Sequence, residues 1–302
     1  MAATAAVILG GVKDGIEKYA KILMPLLLVI IFVLDIRAVT LPGASEGISF
    51  LFQPDFAKVT PEAVMSALGH AFFSLSLGMG TMITYGSYIS KKEDLSVTAL
   101  QVTIADTGIA LLAGLAIFPA VFAFGIEPGA GPGLVFITLP NVFNQMPGGY
   151  FFGILFFVLL AVAALTSSIS ILEVVVAYFA EDLNMDRKKA TILATVAITL
   201  LGSVQSLSNG MLSHIQIPFL NQGSMNFMDW MVLLSDHMLP VGGLFISLFV
   251  GWKMAKGDVV DEVTNGGVLE EKTWTNIYLV LTKYVAPVGI IAVIANMLGF
   301  FG

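Results

Sequence analysis

The chain has 302 residues, 57% of them hydrophobic and 12% charged, with a mean hydropathy of +0.91. A water-soluble domain carries about 25% charged residues, so this composition leaves too little polar surface for an aqueous globule and points to lipid as the solvent. The absence of cysteine excludes disulfides, thiolate metal sites and cysteine nucleophiles, and the net charge of −7 comes without the aromatic-interleaved basic patch that nucleic acid requires.

Residues Ala2 to Gly11 are apolar but too few to cross a bilayer, and no basic region precedes them as in a signal peptide. They read either as a short interfacial segment or as half of a helix whose outer half lies outside this sequence. Seven later segments reach the length of roughly 20 apolar residues that a crossing needs. They run from Tyr19 to Leu41, Ala63 to Ser90, Leu95 to Ile126, Gly149 to Ala180, Ala190 to Leu207, Asp229 to Trp252 and Trp274 to Phe301. Between them, Pro42 to Glu62 and Glu127 to Gly148 read as long outer loops. The second of these, residues 127–148, holds PGAGPG and an apolar stretch too short to span, and predicts a loop that caps an outer vestibule. Residues 257–272 form an acidic loop. The sequence as a whole predicts an all-α integral membrane protein with a single transmembrane domain over residues 1–302.

The basic residues orient it. One alternate set of gaps holds Lys13, Lys18, Lys21, Lys91, Lys92, Arg187, Lys188, Lys189, Lys253, Lys256 and Lys272, whereas the other holds only Arg37 and Lys58. Cytoplasmic loops carry such an excess. A multi-pass protein of the inner (plasma) membrane is expected, with its N-terminal loop in the cytoplasm and its C-terminus outside.

Several residues are out of place in lipid. In the second segment, Ser74-Leu75-Ser76-Leu77-Gly78-Met79-Gly80-Thr81 combines glycines and hydroxyls near mid-depth. Such a stretch either breaks the helix, freeing carbonyls for a cation and N–H groups for an anion, or serves close helix packing. Asp106 is the one interior charge of the third segment, and an intramembrane carboxylate implies an ion, a proton path or a structural pair. Thr166-Ser167-Ser168, with Ser170 beyond, lies at similar depth in the fourth segment, where each hydroxyl alone would bond back to its own helix. Together, hydroxyls, a carboxylate and loose carbonyls are the hard oxygen ligands that alkali cations take. His70, His214 and His237 show no metal-ligand spacing, so no transition metal is expected. Glu173 has Lys283 as one possible counter-charge, although Lys283 could instead snorkel to the interface. Asp229, at the start of the sixth segment, suits a helix N-terminus. No catalytic pairing of carboxylates, histidine and nucleophile is visible, so an enzyme is not expected.

The stretches FFSLSLGMGTMITYGSY (Phe72 to Tyr88), GPGLVFITLPNVFNQMPGG (Gly131 to Gly149) and ALTSSISILE (Ala164 to Glu173) resemble the neurotransmitter:sodium symporter family, in particular its bacterial sodium-dependent amino-acid transporters with the leucine-transporter fold. Inverted repeats and broken helices are the hallmark of that architecture. The resemblance implies that the seven segments match helices five to eleven of the fold, that residues 1–11 are a remnant of the fourth, and that the second segment is the broken sixth helix. It implies sodium-binding roles for Ser74, Asp106, Ala163 (through its carbonyl), Thr166 and Ser167. Phe73, Ser76, Met79 and Ile171 would contact substrate, and Tyr88, Glu181 and Asp229 would belong to gates. Co-transported sodium would be the only cofactor, with no organic one, and the partners would be an amino-acid substrate and the bilayer, together with a missing N-terminal segment or a homo-oligomer. A carboxylate at Asp106 would make transport chloride-independent. The family's first three to four helices have no counterpart here. The expected function is therefore sodium-coupled symport of an amino acid or related small zwitterion by alternating access, as the C-terminal part of such a transporter. The competing expectation is a fragment or membrane subunit that is inactive without the missing helices.

Overall fold

Helix dominates because, in lipid, only hydrogen bonds within a segment can satisfy the backbone of an isolated span. The computed structural model describes residues 1–90, 92–126, 133–218, 223–266 and 272–300. In chain order the helices are α1 (Ala2–Leu9), α2 (Lys18–Val39), α3 (Ala44–Phe52), α4 (Pro61–Ser74), α5 (Thr81–Tyr88), α6 (Leu95–Ala123), α7 (Leu139–Gln145), α8 (Gly149–Glu181), α9 (Arg187–Ser208), α10 (Phe227–Leu248), α11 (Lys256–Val263), α12 (Lys272–Val280) and α13 (Ala286–Met297). Wider π-helical turns adjoin several of them, at Val12–Glu17, Leu134–Thr138, Phe249–Lys253 and Leu281–Val285. A minimal antiparallel ribbon pairs β1 (Ile217–Pro218) with β2 (Ser224–Met225).

Among the described residues, six helical segments are long and apolar enough to cross a membrane: Val12–Val39, Leu95–Ala123, Gly149–Glu181, Arg187–Ser208, Phe227–Lys253 and Thr275–Met297. Each overlies one of the predicted segments. The other predicted segment, Ala63 to Ser90, is two helices, α4 and α5, and neither alone has the length of a span. Two predicted loops are partly helical. Pro42 to Glu62 contains α3, and 257–272 contains most of α11. In the predicted capping loop, Leu134–Thr138 and α7 are helical, while residues 127–132, which hold PGAGPG except its last glycine, lie outside the described residues, as do Lys91 and Phe301.

Contacts divide the chain into two units. The first comprises Met1–Phe56 and Ile104–Leu172. Its core gathers Ile30, Leu34 and Ala38 of α2, Ala120 and Val121 of α6, Leu139 and Val142 of α7 and Phe156 of α8. α3 packs onto the end of α6 because Gly47 has no side chain: a Cβ there would meet the Phe118 carbonyl and the Pro119 backbone. The Phe50 ring then lies tilted against those of Phe118 and Phe122, at centroid distances of 5.0 and 5.2 Å. Arg37, near the end of α2, donates to the Pro147 carbonyl at 3.2 Å and lies over the Phe152 ring, tying α2 to the turn before α8.

The second unit comprises Ala57–Thr103 and Glu173–Gly302. α10 is its hub and packs against α4, α9 and α13. Close approach is again set by glycine. A Cβ on Gly78 would strike the Leu239 carbonyl of α10, and one on Gly242 would strike the Gly78 carbonyl, so two backbones touch where the chain between α4 and α5 is unwound. Beside this contact runs an apolar groove of about 730 Å³, lined in part by Leu68, Phe72, Ser76, Ile246, Thr282 and Val285.

Candidate functional site

The break between α4 and α5 is built into the sequence. After Ser74, the N–H of Ser76 bonds to the Phe73 carbonyl at 3.0 Å and that of Leu77 to the Phe72 carbonyl at 2.8 Å, the paired bonds that close a helix at a left-handed residue. That residue is Ser76, with φ +54°. Gly78 (φ +80°) and Gly80 (φ +88°) follow in the left-handed region, and Gly80 caps α5, its carbonyl accepting from the N–H of Thr84 at 2.9 Å. Left-handed residues at every second position prevent helical continuation, so the backbone between Ser74 and Thr81 cannot satisfy itself as a helix does. The Thr81 hydroxyl is buried with no hydrogen-bond partner among the described residues. Of the predicted substrate residues, Phe73 is exposed on the last turn of α4, whereas Ser76 and Met79 are half-buried in the unwound stretch. Ser76 faces the groove beside α10 and α13. Ser74 ends α4 and carries a further interaction of its own.

The other predicted sodium ligands belong to the first unit. Asp106 is half-buried on α6. On α8, the Thr166 hydroxyl donates to the Ala163 carbonyl at 2.9 Å, which brings two of the predicted oxygens together on one turn. This is the back-bond expected of a helical threonine, and it leaves lone pairs on both oxygens for a cation. Ser167 is exposed and Ile171 lies 49% exposed one turn on. Ser168, the third hydroxyl of that predicted cluster, meets Thr4 of α1, their hydroxyls 2.9 Å apart. Asp35 was not singled out either, although it is a buried carboxylate on α2 whose two oxygens have no hydrogen-bond partner among the described residues. Its signal was present in the sequence as an acid inside an apolar run.

Glu173, on the stretch of α8 that belongs to the second unit, is fully buried. The Tyr88 hydroxyl donates to its Oε1 and the Arg187 guanidinium to its Oε2, both at 2.7 Å. These contacts decide between the readings of Lys283. Glu173 takes its counter-charge from Arg187, and the Lys283 ammonium lies over the Trp252 ring, 4.6 Å from its centroid. Arg187 was legible only as a member of a basic cluster, because its partner is a helix and a loop away. Tyr88, predicted as a gate residue, is thus joined to α8 and the start of α9. Glu181 is exposed at the end of α8. Asp229 occupies the first turn of α10, where its N–H is capped by the Asn226 side chain at 2.9 Å.

Comparison with known proteins bears on what this arrangement serves. The profile described as the sodium:neurotransmitter symporter family matches residues 1–298. YhdH, a sodium-dependent transporter of Bacillus subtilis, is 39% identical over 299 residues, which are 99% of this chain and 65% of the relative. A sodium-dependent transporter of Haemophilus influenzae is 40% identical over 289 residues, 95% of this chain and 62% of the relative. The crystal structure of MhsT in complex with L-phenylalanine superposes with a TM-score of 0.86 at 43% identity, covering 98% of this chain and 66% of that one. The chain thus spans less than two-thirds of the length of each of these proteins.

Proposed function

Because the chain belongs to the sodium:neurotransmitter symporter family, we propose that it forms part of a sodium-coupled symporter for an amino acid or a related small zwitterion, working by alternating access. The observation that carries this reading is the break at residues 75–80, where left-handed Ser76, Gly78 and Gly80 leave unwound backbone within a membrane-depth segment. Such backbone survives in a membrane only against protein or water, and it offers carbonyls to cations and helix N-termini to anions. Counting α4 and α5 as one broken crossing gives seven crossings, which we assign to helices five to eleven of the leucine-transporter fold.

Sodium would be held by Ser74, Asp106, Ala163, Thr166 and Ser167. The Ala163 carbonyl and Thr166 hydroxyl supply a pre-gathered oxygen pair for a hard cation. Phe73, Ser76, Met79 and Ile171 would surround the substrate. Tyr88, Glu181 and Asp229 would serve as gates, with Glu173 and Arg187 holding Tyr88 in place. The Asp106 carboxylate supplies fixed negative charge, which makes coupling independent of chloride. The phenylalanine bound by MhsT favours an apolar amino acid as substrate. From the basic-residue pattern we assign the end of the first crossing at Lys13 to Lys21, helical rather than the predicted loop, to the cytoplasmic side.

The test is uptake of labelled L-phenylalanine and other apolar amino acids into proteoliposomes. The chain is reconstituted alone and co-expressed with the third of YhdH that it does not span. Uptake that needs a sodium gradient, ignores chloride and disappears in Asp106→Ala is the expected result. Uptake that persists unchanged when sodium is replaced by potassium overturns the proposal.

A further inference from the structure

Lys283 lies within the crossing Thr275–Met297, and the proposed transport site does not use it. Two π-helical turns, Phe249–Lys253 after α10 and Leu281–Val285 after α12, lie side by side around it. A π turn widens the helix and frees carbonyls, and here side chains of the opposite turn and of α10 take them up. The Ser247 hydroxyl donates to the Thr282 carbonyl at 2.8 Å, and the Trp252 indole N–H donates to the Lys283 carbonyl at 3.0 Å. Gly251 admits the Lys283 backbone, since a Cβ there would meet the Lys283 Cα. These bonds fix the indole plane under the lysine. The Lys283 ammonium sits 4.6 Å from the Trp252 ring and 5.6 Å from that of Tyr284, and the two rings meet edge to face at 5.8 Å.

The corner is therefore rigid, and its cation is incompletely served. Ring faces attract an ammonium but accept none of its three N–H bonds fully, and no carboxylate pairs with Lys283 among the described residues. Trp252 is 60% exposed and Tyr284 52% exposed, so the corner opens outward. In a membrane, exposed Trp and Tyr mark the headgroup level. At that level the abundant acceptor is a lipid phosphate. Lys253 and Lys256 follow at the same end of α10 and add positive charge, with the acids of α11, Asp258, Asp261 and Glu262, coming after them.

We propose that Lys283, Trp252 and Tyr284 form a binding site for the headgroup of an anionic phospholipid. The phosphate accepts from the ammonium, and the aromatic rings pack against the glycerol backbone and first methylenes. Net negative charge on the lipid sets the preference, at about fivefold over a zwitterionic lipid for one lysine at this depth. The site needs only that the chain be embedded in a bilayer, so it stands or falls apart from the transport proposal.

The chain is purified in nanodiscs of mixed phosphatidylglycerol and phosphatidylcholine, and the lipids retained on transfer to detergent are weighed by native mass spectrometry. Phosphatidylglycerol should be enriched about fivefold. Lys283→Gln should abolish the enrichment, while Lys283→Arg and the distant Lys58→Gln should keep it. A second reading leaves Lys283 untouched. With Trp230→Phe and Trp274→Phe, the remaining Trp252 emission should change when phosphatidylglycerol, but not phosphatidylcholine, is added. Undiminished enrichment in Lys283→Gln, equal loss in Lys58→Gln, or a Trp252 signal indifferent to lipid charge would each overturn the site.

Discussion

Arg187 donates a 2.7 Å hydrogen bond to Glu173, whose side chain is wholly buried while that of the arginine is 32% exposed. A carboxylate so placed is tolerable only with its charge compensated, because desolvating a lone ion costs far more than any single contact returns. The tyrosine hydroxyl of α5 completes the arrangement at the other oxygen.

Removing the arginine should therefore harm the protein more than removing the acid. Arg187→Ala leaves a buried charge and is expected to cost ~2–3 kcal/mol, below the full buried-pair range because the arginine is partly solvated. Glu173→Gln, which keeps a partner for Tyr88, should cost about 1 kcal/mol. Thermal melts in detergent check the order, and equal melting of the two variants would contradict the burial argument.

Gly78 and Gly86 make a matched pair. Gly78 has φ +80° and the Leu239 carbonyl against it, whereas nothing lies within 4 Å of a Cβ on Gly86 in α5. Gly78→Ala should destabilise by ~2 kcal/mol or more, from the left-handed backbone and the forced separation of α10. Gly86→Ala should stabilise by about 0.5–1 kcal/mol through reduced backbone freedom in the unfolded chain. The same melts measure both, and a neutral Gly78→Ala would mean that the contact with α10 is dispensable.

Ser76 separates stability from function. A serine at φ +54° is strained by about 1 kcal/mol relative to glycine, so Ser76→Gly should raise the melting temperature. If its side chain also contacts substrate, the same change should weaken amino-acid binding in the sodium-dependent uptake assay. Raised stability with untouched binding would remove Ser76 from the substrate pocket while leaving its role in the helix break intact.

Asp35 is buried without a hydrogen-bond partner among the described residues and sits on the same helix as the core residues Ile30, Leu34 and Ala38. Replacing it with a side chain of similar size and no polar atoms, Asp35→Leu, should stabilise the first unit by ~1–3 kcal/mol. Denaturation followed by tryptophan-independent circular dichroism would show it. A loss of stability would mean that the carboxylate has a partner in the working protein.

Thr4→Val should cost only about 0.6 kcal/mol, the usual size of a hydroxyl pair between membrane helices, because Ser168 keeps its own bond to the Leu165 carbonyl. A drop several times larger would show that α1 depends on this one contact to stay on α8.

The long helices were legible because lipid enforces a simple rule: a run of apolar residues of the right length must satisfy its own backbone. The break at 75–80 was legible as one of two readings, since glycine at Gly78 and Gly80 and hydroxyls around them are poor helix interior but also suit close packing, and the family resemblance favoured the break. α3 and α11 were missed because they are short and owe their order to packing. Gly47 must lie against Phe118 before Ala44 to Phe52 gains anything by coiling. The sequence offered Glu173 only Lys283 by number as a counter-charge, and no periodicity could point to Arg187. That choice is a matter of which cation the chain's path brings within 2.7 Å.

By itself, then, the order of residues determined the solvent and the spans, and marked one stretch as either a break or a close-packing seam, because each follows from local composition and the cost of bare peptide groups in hydrocarbon. Tertiary structure alone decided which charges neutralise one another, which glycines let backbones touch, and where Lys283 rests. Those outcomes depend on distances between segments far apart in the chain, and electrostatic and van der Waals energies are fixed only once such distances exist.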